Sequence, residues 1–158
     1  MTQATLETLR ERFAAEGLPA EVALGTLVVH VAAPAVLAFS AKLKSESGFD
    51  MLLDVTAIDW PGRDPRFDVV WHFYSTHEHV RVRVKAAVAE GSPVVPSLTK
   101  LYGSAAFMER ECHDMYGIVF DGNDDMRPIL LYEGFVGHPL RKDYPKDREQ
   151  PLVPYRTP

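Results

Sequence analysis

The chain has 158 residues, of which 46% are apolar and 25% charged, and its formal net charge is −5 at pH 7. That length and composition suit one globular domain with a core that needs no disulfide. The acidic balance argues against nucleic acid as a main partner, and the single cysteine, Cys112, fits a reducing compartment such as the cytoplasm.

No secretory or transit signal is visible, and the chain leads directly into a polar helix over residues 5–16. Leu6, Leu9 and Phe13 share one face of that helix, and Gly17 and Pro19 end it. Residues 21–24 and 27–31 read as short strands around a tight Gly25-Thr26 turn. Pro34 suits a first helical turn, and a helix over residues 35–45 is expected to bury Val36, Leu37, Phe39 and Leu43 before Gly48. The apolar run over residues 23–39 is interrupted and falls short of the roughly 20 residues of a spanning helix. Membrane contact is therefore expected only through a partner.

Residues 51–58, with few charges, read as a central strand, and residues 61–65 form a strong turn signal. A hairpin follows. Phe67, Val69, Trp71 and Phe73 alternate with Asp68, Val70, His72 and Tyr74, and His77-Glu78 lies at the turn. Val80, Val82 and Val84 then alternate with Arg81, Arg83 and Lys85, which places three cations on an exposed face. Residues 90–96 read as a loop and 97–102 as a helical turn. Ser104 is expected to cap a helix over residues 105–116 that Gly117 ends, and residues 118–120 make a last short strand.

Beyond Asp121 periodicity disappears, and half of the chain's 12 prolines occur from Pro128 onward. The order implies an α+β fold: a mixed sheet of about four or five strands with helices packed on one face, followed by an extended C-terminal tail. Residues 1–120 would form the domain and residues 121–158 the tail. Leu152, Val153 and Tyr155 are among the tail's apolar residues, which make it suited to dock on a neighbouring subunit.

Several chemistries lack their signatures. Neither common phosphate-cradling glycine loop occurs, one cysteine cannot hold an iron–sulfur cluster, and no nucleophile elbow is present. Asp121, Asn123 and Asp125 match the start of a calcium loop, but Met126 and Tyr132 stand where it needs Gly and Glu. His77 and His79 lack further ligands nearby in sequence. Cys112, His113 and Asp114 diverge by about 100° per residue on a helix and would not converge on one substrate. On the same helix, Arg110 with Asp114 and Glu109 with His113 are four apart. They fit a solvated face carrying ion pairs of about 0.3–0.5 kcal/mol.

Two blocks carry a family resemblance. Glu109-Arg110-Glu111 followed by Asp114-Met115-Tyr116-Gly117-Ile118 resembles the helix motif of the C-type subunit of respiratory complex I, the proton-pumping NADH:quinone oxidoreductase. Gly137-His138-Pro139-Leu140-Arg141-Lys142-Asp143-Tyr144-Pro145 is similar to the same family's tail, and Arg127 and Ile129-Leu130 fit between them. Upstream, residues 54–59 and 66–70 are similar to the family's strands. His113 departs from the family's usual aromatic residue, and Asn123-Asp124 from its common His-Pro.

The resemblance implies a subunit with no catalytic residue and no cofactor of its own, flavin and iron–sulfur clusters residing in partner subunits. It implies packing in the hydrophilic arm against the subunit that forms the quinone site, on the cytoplasmic side of the membrane. The interface residues it implies are Glu109, Arg110, Glu111, Asp114, Arg127, His138, Arg141, Lys142, Asp143 and Tyr144. The equivalent subunit of a related membrane-bound hydrogenase, or of another donor-specific dehydrogenase, would carry the same motif.

Overall fold

The computed structural model of the chain describes residues 2–147 and 150, with side chains from Leu6 onward. The expected tail anchors Leu152, Val153 and Tyr155 lie outside the described residues. The elements are α1 (Thr2–Ala15), β1 (Ala20–Ala23), β2 (Thr26–His30), a 3-10 turn (Ala33–Ala35), α2 (Val36–Ser47), β3 (Met51–Asp59), β4 (Phe67–Ser75), β5 (Val80–Val88), β6 (Val94–Pro96), α3 (Ala105–Tyr116) and β7 (Val119–Asp121). Among the described residues no helix is long and apolar enough to cross a membrane.

Five strands form one sheet in the order β1-β2-β5-β4-β3. Only the β2–β5 pair is parallel. Period-two alternation decides the two faces. Leu27, Val29, Val82, Val84, Phe67, Val69, Trp71, Phe73, Val55 and Ala57 turn inward and meet Leu6 and Phe13 of α1, Phe39 and Leu43 of α2 and Cys112 of α3. This is the α+β layer that the sequence pattern predicts, with its helices on one face.

Five local expectations need correction. β3 is an edge strand rather than a central one, because it pairs only with β4. Its low charge has another cause: α3 packs against it, and the Ser104 hydroxyl donates to the Leu52 carbonyl at 3.0 Å. The same bond spends the hydroxyl expected to cap α3, and Ser104 makes no side-chain cap.

The stretch expected as a loop contains β6, which pairs in parallel with β7. Pro93 precedes and Pro96 ends a strand too short to register in sequence, and its partner lies more than 20 residues away. The first hairpin turns on Leu24-Gly25, with Ala23 opposite Thr26. Both turn residues have positive φ (50° and 73°), as a two-residue hairpin loop following the right-handed twist of its strands requires. In α2 the buried stripe is Val36, Phe39, Ser40 and Leu43, and Leu37 is exposed. The i, i+3, i+4, i+7 spacing of that stripe leaves position 37 off the core side.

Candidate protein interface

α3 ends at Gly117, whose φ of 75° is left-handed and whose amide donates to the His113 carbonyl at 2.7 Å. A helix C-terminus leaves its last carbonyls without partners in the helix. Here the tail supplies them. The His138 imidazole donates from Nδ1 to the Asp114 carbonyl at 3.0 Å, and the Leu140 amide donates to the Met115 carbonyl at 3.1 Å. Arg141 donates from Nε to the Tyr116 carbonyl at 2.7 Å, so a cation also sits at the negative end of the helix dipole. Gly137-His138-Pro139-Leu140-Arg141 is therefore a cap for α3. A Cβ on Gly117 would stand 2.5 Å from His138 Nε2 and 2.6 Å from Arg141 Nη2, so the cap needs glycine for space as well as conformation.

The charged residues of α3 also hold the loop segments around it. Glu109 is fully buried, and its carboxylate accepts from the Leu98 amide (2.7 Å), the Ser97 hydroxyl (2.8 Å) and Asn123 Nδ2 (2.9 Å). Burial pushes its carboxyl above the ordinary value, and the three donors only partly offset that. Asp114 is buried as well, and Oδ2 accepts from the amides of Ile129 (2.9 Å), Leu130 (2.9 Å) and Leu131 (3.2 Å). Burial raises this carboxyl, but the three amides outweigh it and leave it below the ordinary value. Arg110 donates to the carbonyls of Arg127 (2.8 Å) and Pro128 (3.0 Å) and lies 3.6 Å from Asp125.

The expected surface pairs Arg110–Asp114 and Glu109–His113 do not form. A helix read alone presents those residues to solvent, whereas the folded tail and the turn at 97–99 cover them. His113 donates from Nδ1 to the Ile118 carbonyl at 2.8 Å, and its ring meets that of His138 edge to face at 6.2 Å. Cys112 turns into the core, His113 to a carbonyl and Asp114 to the amides of residues 129–131.

A second anchor joins the tail to the end of the sheet. Asp59 and Arg66 form a two-pronged pair (2.7 and 2.8 Å) at the adjoining ends of β3 and β4, and Asp59 Oδ2 also accepts from the Lys142 amide at 2.7 Å. Arg66 reaches on to Glu90 (2.6 Å) and Asp143 (3.0 Å). The Arg66 hydrogen bonds hold the Asp59 carboxyl below the ordinary value, with burial opposing and the Lys142 amide adding to the effect. The guanidinium of Arg141 lies over the Phe67 ring, 5.0 Å from its centre. Asp59 and Arg66 carry no periodicity signal and flank a turn, so their pairing is visible only once β3 and β4 are in register.

The ten residues implied by the resemblance thus divide. Glu109, Asp114, Arg110, His138, Arg141 and Asp143 bind the chain to itself. Tyr144 accepts from Gln150 Nε2 at 2.8 Å and stacks near Phe135. Glu111 is exposed, Lys142 is held by its backbone with its side chain outward, and Arg127 pairs with Asp125 on the surface. These anchors present an apolar outer surface. Phe107 of α3 is 62% exposed, Leu130 60% and Val136 59%, with Ile129 and Leu140 also exposed. A cleft of about 160 Å³ lined by His113, Met126, Leu131, Phe135 and His138 opens beside them.

Residues 29–150 match the model of a family described as the respiratory-chain NADH dehydrogenase, 30 Kd subunit. The chain is 46% identical over 154 residues to the NADH-quinone oxidoreductase C subunit of Paramagnetospirillum magneticum, covering 92% of this chain and 75% of that protein. It is 45% identical over 130 residues to the C subunit of Rhodobacter capsulatus, covering 81% of this chain and 65% of that one. The chain thus spans about two thirds to three quarters of the length of these relatives. A solved structure of Nqo5, a trypsin-resistant fragment (1–134), superposes with a TM-score of 0.70 at 35% identity, covering 77% of this chain and 98% of the fragment.

Proposed function

The chain belongs to the family of the respiratory-chain NADH dehydrogenase 30 Kd subunit, and from that premise we propose that it is a structural subunit of a proton-translocating NADH:quinone oxidoreductase. It binds no flavin or cluster, sits in the hydrophilic arm on the cytoplasmic side of the membrane, and packs against the subunit that forms the quinone site. Electrons pass through its neighbours. Its own task is to hold a shaped surface in place.

The observation that supports this reading is the division of labour around α3. The charged residues that define the family motif are spent inside the chain: Glu109 and Asp114 on backbone and side-chain donors, Arg141 and His138 on the helix end. What faces outward is a set of large apolar side chains, including Phe107, Leu130 and Val136. Such residues are costly to leave in water and usual at the centre of a permanent interface. Because the anchors order the tail beforehand, docking loses little conformational entropy. Glu111, Lys142 and Arg127 stand ready to form the polar rim of that interface.

Purification of the native complex through a tag on this chain, with subunit identification, tests the proposal. The chain is expected to copurify with flavin- and iron-containing subunits, while the isolated protein shows neither chromophore. Recovery as a lone monomer from cells that contain the intact oxidoreductase refutes it. Phe107→Asp and Leu130→Asp are expected to weaken that association at least tenfold while leaving the isolated fold intact, as read by circular dichroism.

A further inference from the structure

The side of the sheet away from the helices has a charge pattern that the tail interface does not use. Most described cations with a carboxylate in reach take one: Arg12, Lys42, Arg63, Arg66, Arg110 and Arg127 all form ion pairs. Arg81, Arg83 and Lys85 form none among the described residues, in a chain whose net charge is −5. They are successive outward positions of β5, the middle strand of five, and so lie roughly 6.8 Å apart along its axis.

Their cross-strand neighbours do not neutralise them. On β4, Tyr74, His72 and Val70 stand opposite the three cations, and on β2 Val28 and His30 stand opposite Arg83 and Lys85. Burial and the neighbouring Arg83 push the His72 imidazole below its ordinary value. Arg83 Nε is buried with no hydrogen-bond partner, an arrangement that folded proteins seldom leave unfilled. The acids on this side lie toward the rim, Glu21 on β1 and Asp54 on β3; Asp68, within electrostatic reach of Lys85, is bound by Arg63 and Trp60. Three like charges in a row on a sheet repel one another, so the stripe is unfavourable until something covers it.

We propose that this uncovered face of the sheet docks an acidic, partly apolar surface of a second subunit of the same complex, with carboxylates of the partner over Arg81, Arg83 and Lys85. The inference rests on the chain's being a complex subunit and adds a second contact to the one around α3. Charge complementarity selects the occupant's carboxylates. Tyr74 and His72, partly exposed opposite Arg81 and Arg83, select its apolar part. Arg83 and Lys85 are half-buried, which suits a close-fitting protein surface better than a loosely solvated one. A charged lipid layer fits poorly, since the chain as a whole is negative.

The test uses the intact complex and the isolated chain side by side. Acylation of Lys85 is expected to fall at least tenfold in the complex, and zero-length carbodiimide coupling is expected to join Lys85 to an Asp or Glu of another subunit. Equal acylation of Lys85 in both states overturns the proposal even when copurification upholds the complex. Failure to copurify at all removes the underlying reading first. The Arg81→Glu/Arg83→Glu/Lys85→Glu variant is expected to retain the melting temperature of the isolated chain and to lose the cross-linked subunit. The acylation comparison needs no variant, so a folding defect in this one leaves the proposal testable. Cosedimentation of the wild-type isolated chain with phosphatidylglycerol vesicles, abolished in that variant, would instead assign the stripe to a membrane and overturn it.

Discussion

Replacing Asp114 by alanine removes one oxygen that accepts from three successive amides, those of Ile129, Leu130 and Leu131 at 2.9, 2.9 and 3.2 Å. Hydrogen bonds to a charged acceptor contribute about 1.5–3 kcal/mol each. The sum is smaller here, because Ile129 and Leu130 are partly exposed and their freed amides can bond to water. A net loss of about 2–4 kcal/mol is expected, confined to the segment those amides anchor. Amide hydrogen exchange at residues 129–131 should accelerate roughly 30-fold to several hundred-fold, since each 1.4 kcal/mol is a factor of ten. The far-UV signature of the sheet and of α3 should persist. Glu111→Ala, which touches neither the cap nor the amides, should leave those exchange rates unchanged. Unaltered exchange at residues 129–131 in Asp114→Ala would refute the reasoning, because it would mean that the carboxylate does not hold the segment.

Asp59→Asn should flatten the acid limb of stability. The wild-type carboxyl lies below its unfolded value, so its contribution is complete above an ordinary pKa of about 3.9 and is lost as pH falls through the folded value. Urea midpoints measured from pH 7 to pH 2 should fall less steeply in the variant. Truncation to Asp59→Ala should cost about 3–5 kcal/mol at pH 7, because Arg66 stays buried without its main partner. Gly117→Ala should cost at least 1–2 kcal/mol, roughly, from the left-handed φ alone, and more because its Cβ would collide with His138 and Arg141. The melting temperature and the proteolytic sensitivity of residues 137–144 measure both effects. Glu109 should titrate above the ordinary glutamate value of about 4.3 when followed by side-chain carbon NMR. Its folded value is the higher one, so the stability it contributes is present below the unfolded value and lost as pH rises through the folded one.

The regular elements are legible wherever a periodic signal is long. The β4–β5 hairpin alternates over residues 67–74 and 80–85, and α3 has a terminating glycine at Gly117, so residue pattern alone places both. Short or irregular pieces are not legible. β6 is three residues ending in a proline, with a distant partner, and β3 resembles a central strand because its residues are mostly apolar and α3 packs against it. The family motif is recognisable at residues 109–118 and 137–145, but the pattern alone misplaces the work of its charges. Four-residue spacing on a helix points to surface pairs only while nothing lies over that face. Here the tail does, and Arg110 and Asp114 turn to its backbone instead of to each other.

The sequence by itself determined the α+β class, the helices and strands with sustained periodicity, the absence of common cofactor motifs and the family. Those properties reside in local patterns and in contiguous blocks of residues. Only the tertiary structure decided what the motif does, because the answer depends on contacts between residues far apart in the chain. Residues 138–141 take up the last carbonyls of α3, Asp114 gathers three amides from a later segment, and Arg66 joins the end of β4 to Asp143. A buried carboxylate and an exposed one look alike in sequence. Burial is a property of what packs above them, and for Glu109 and Asp114 that is the chain itself.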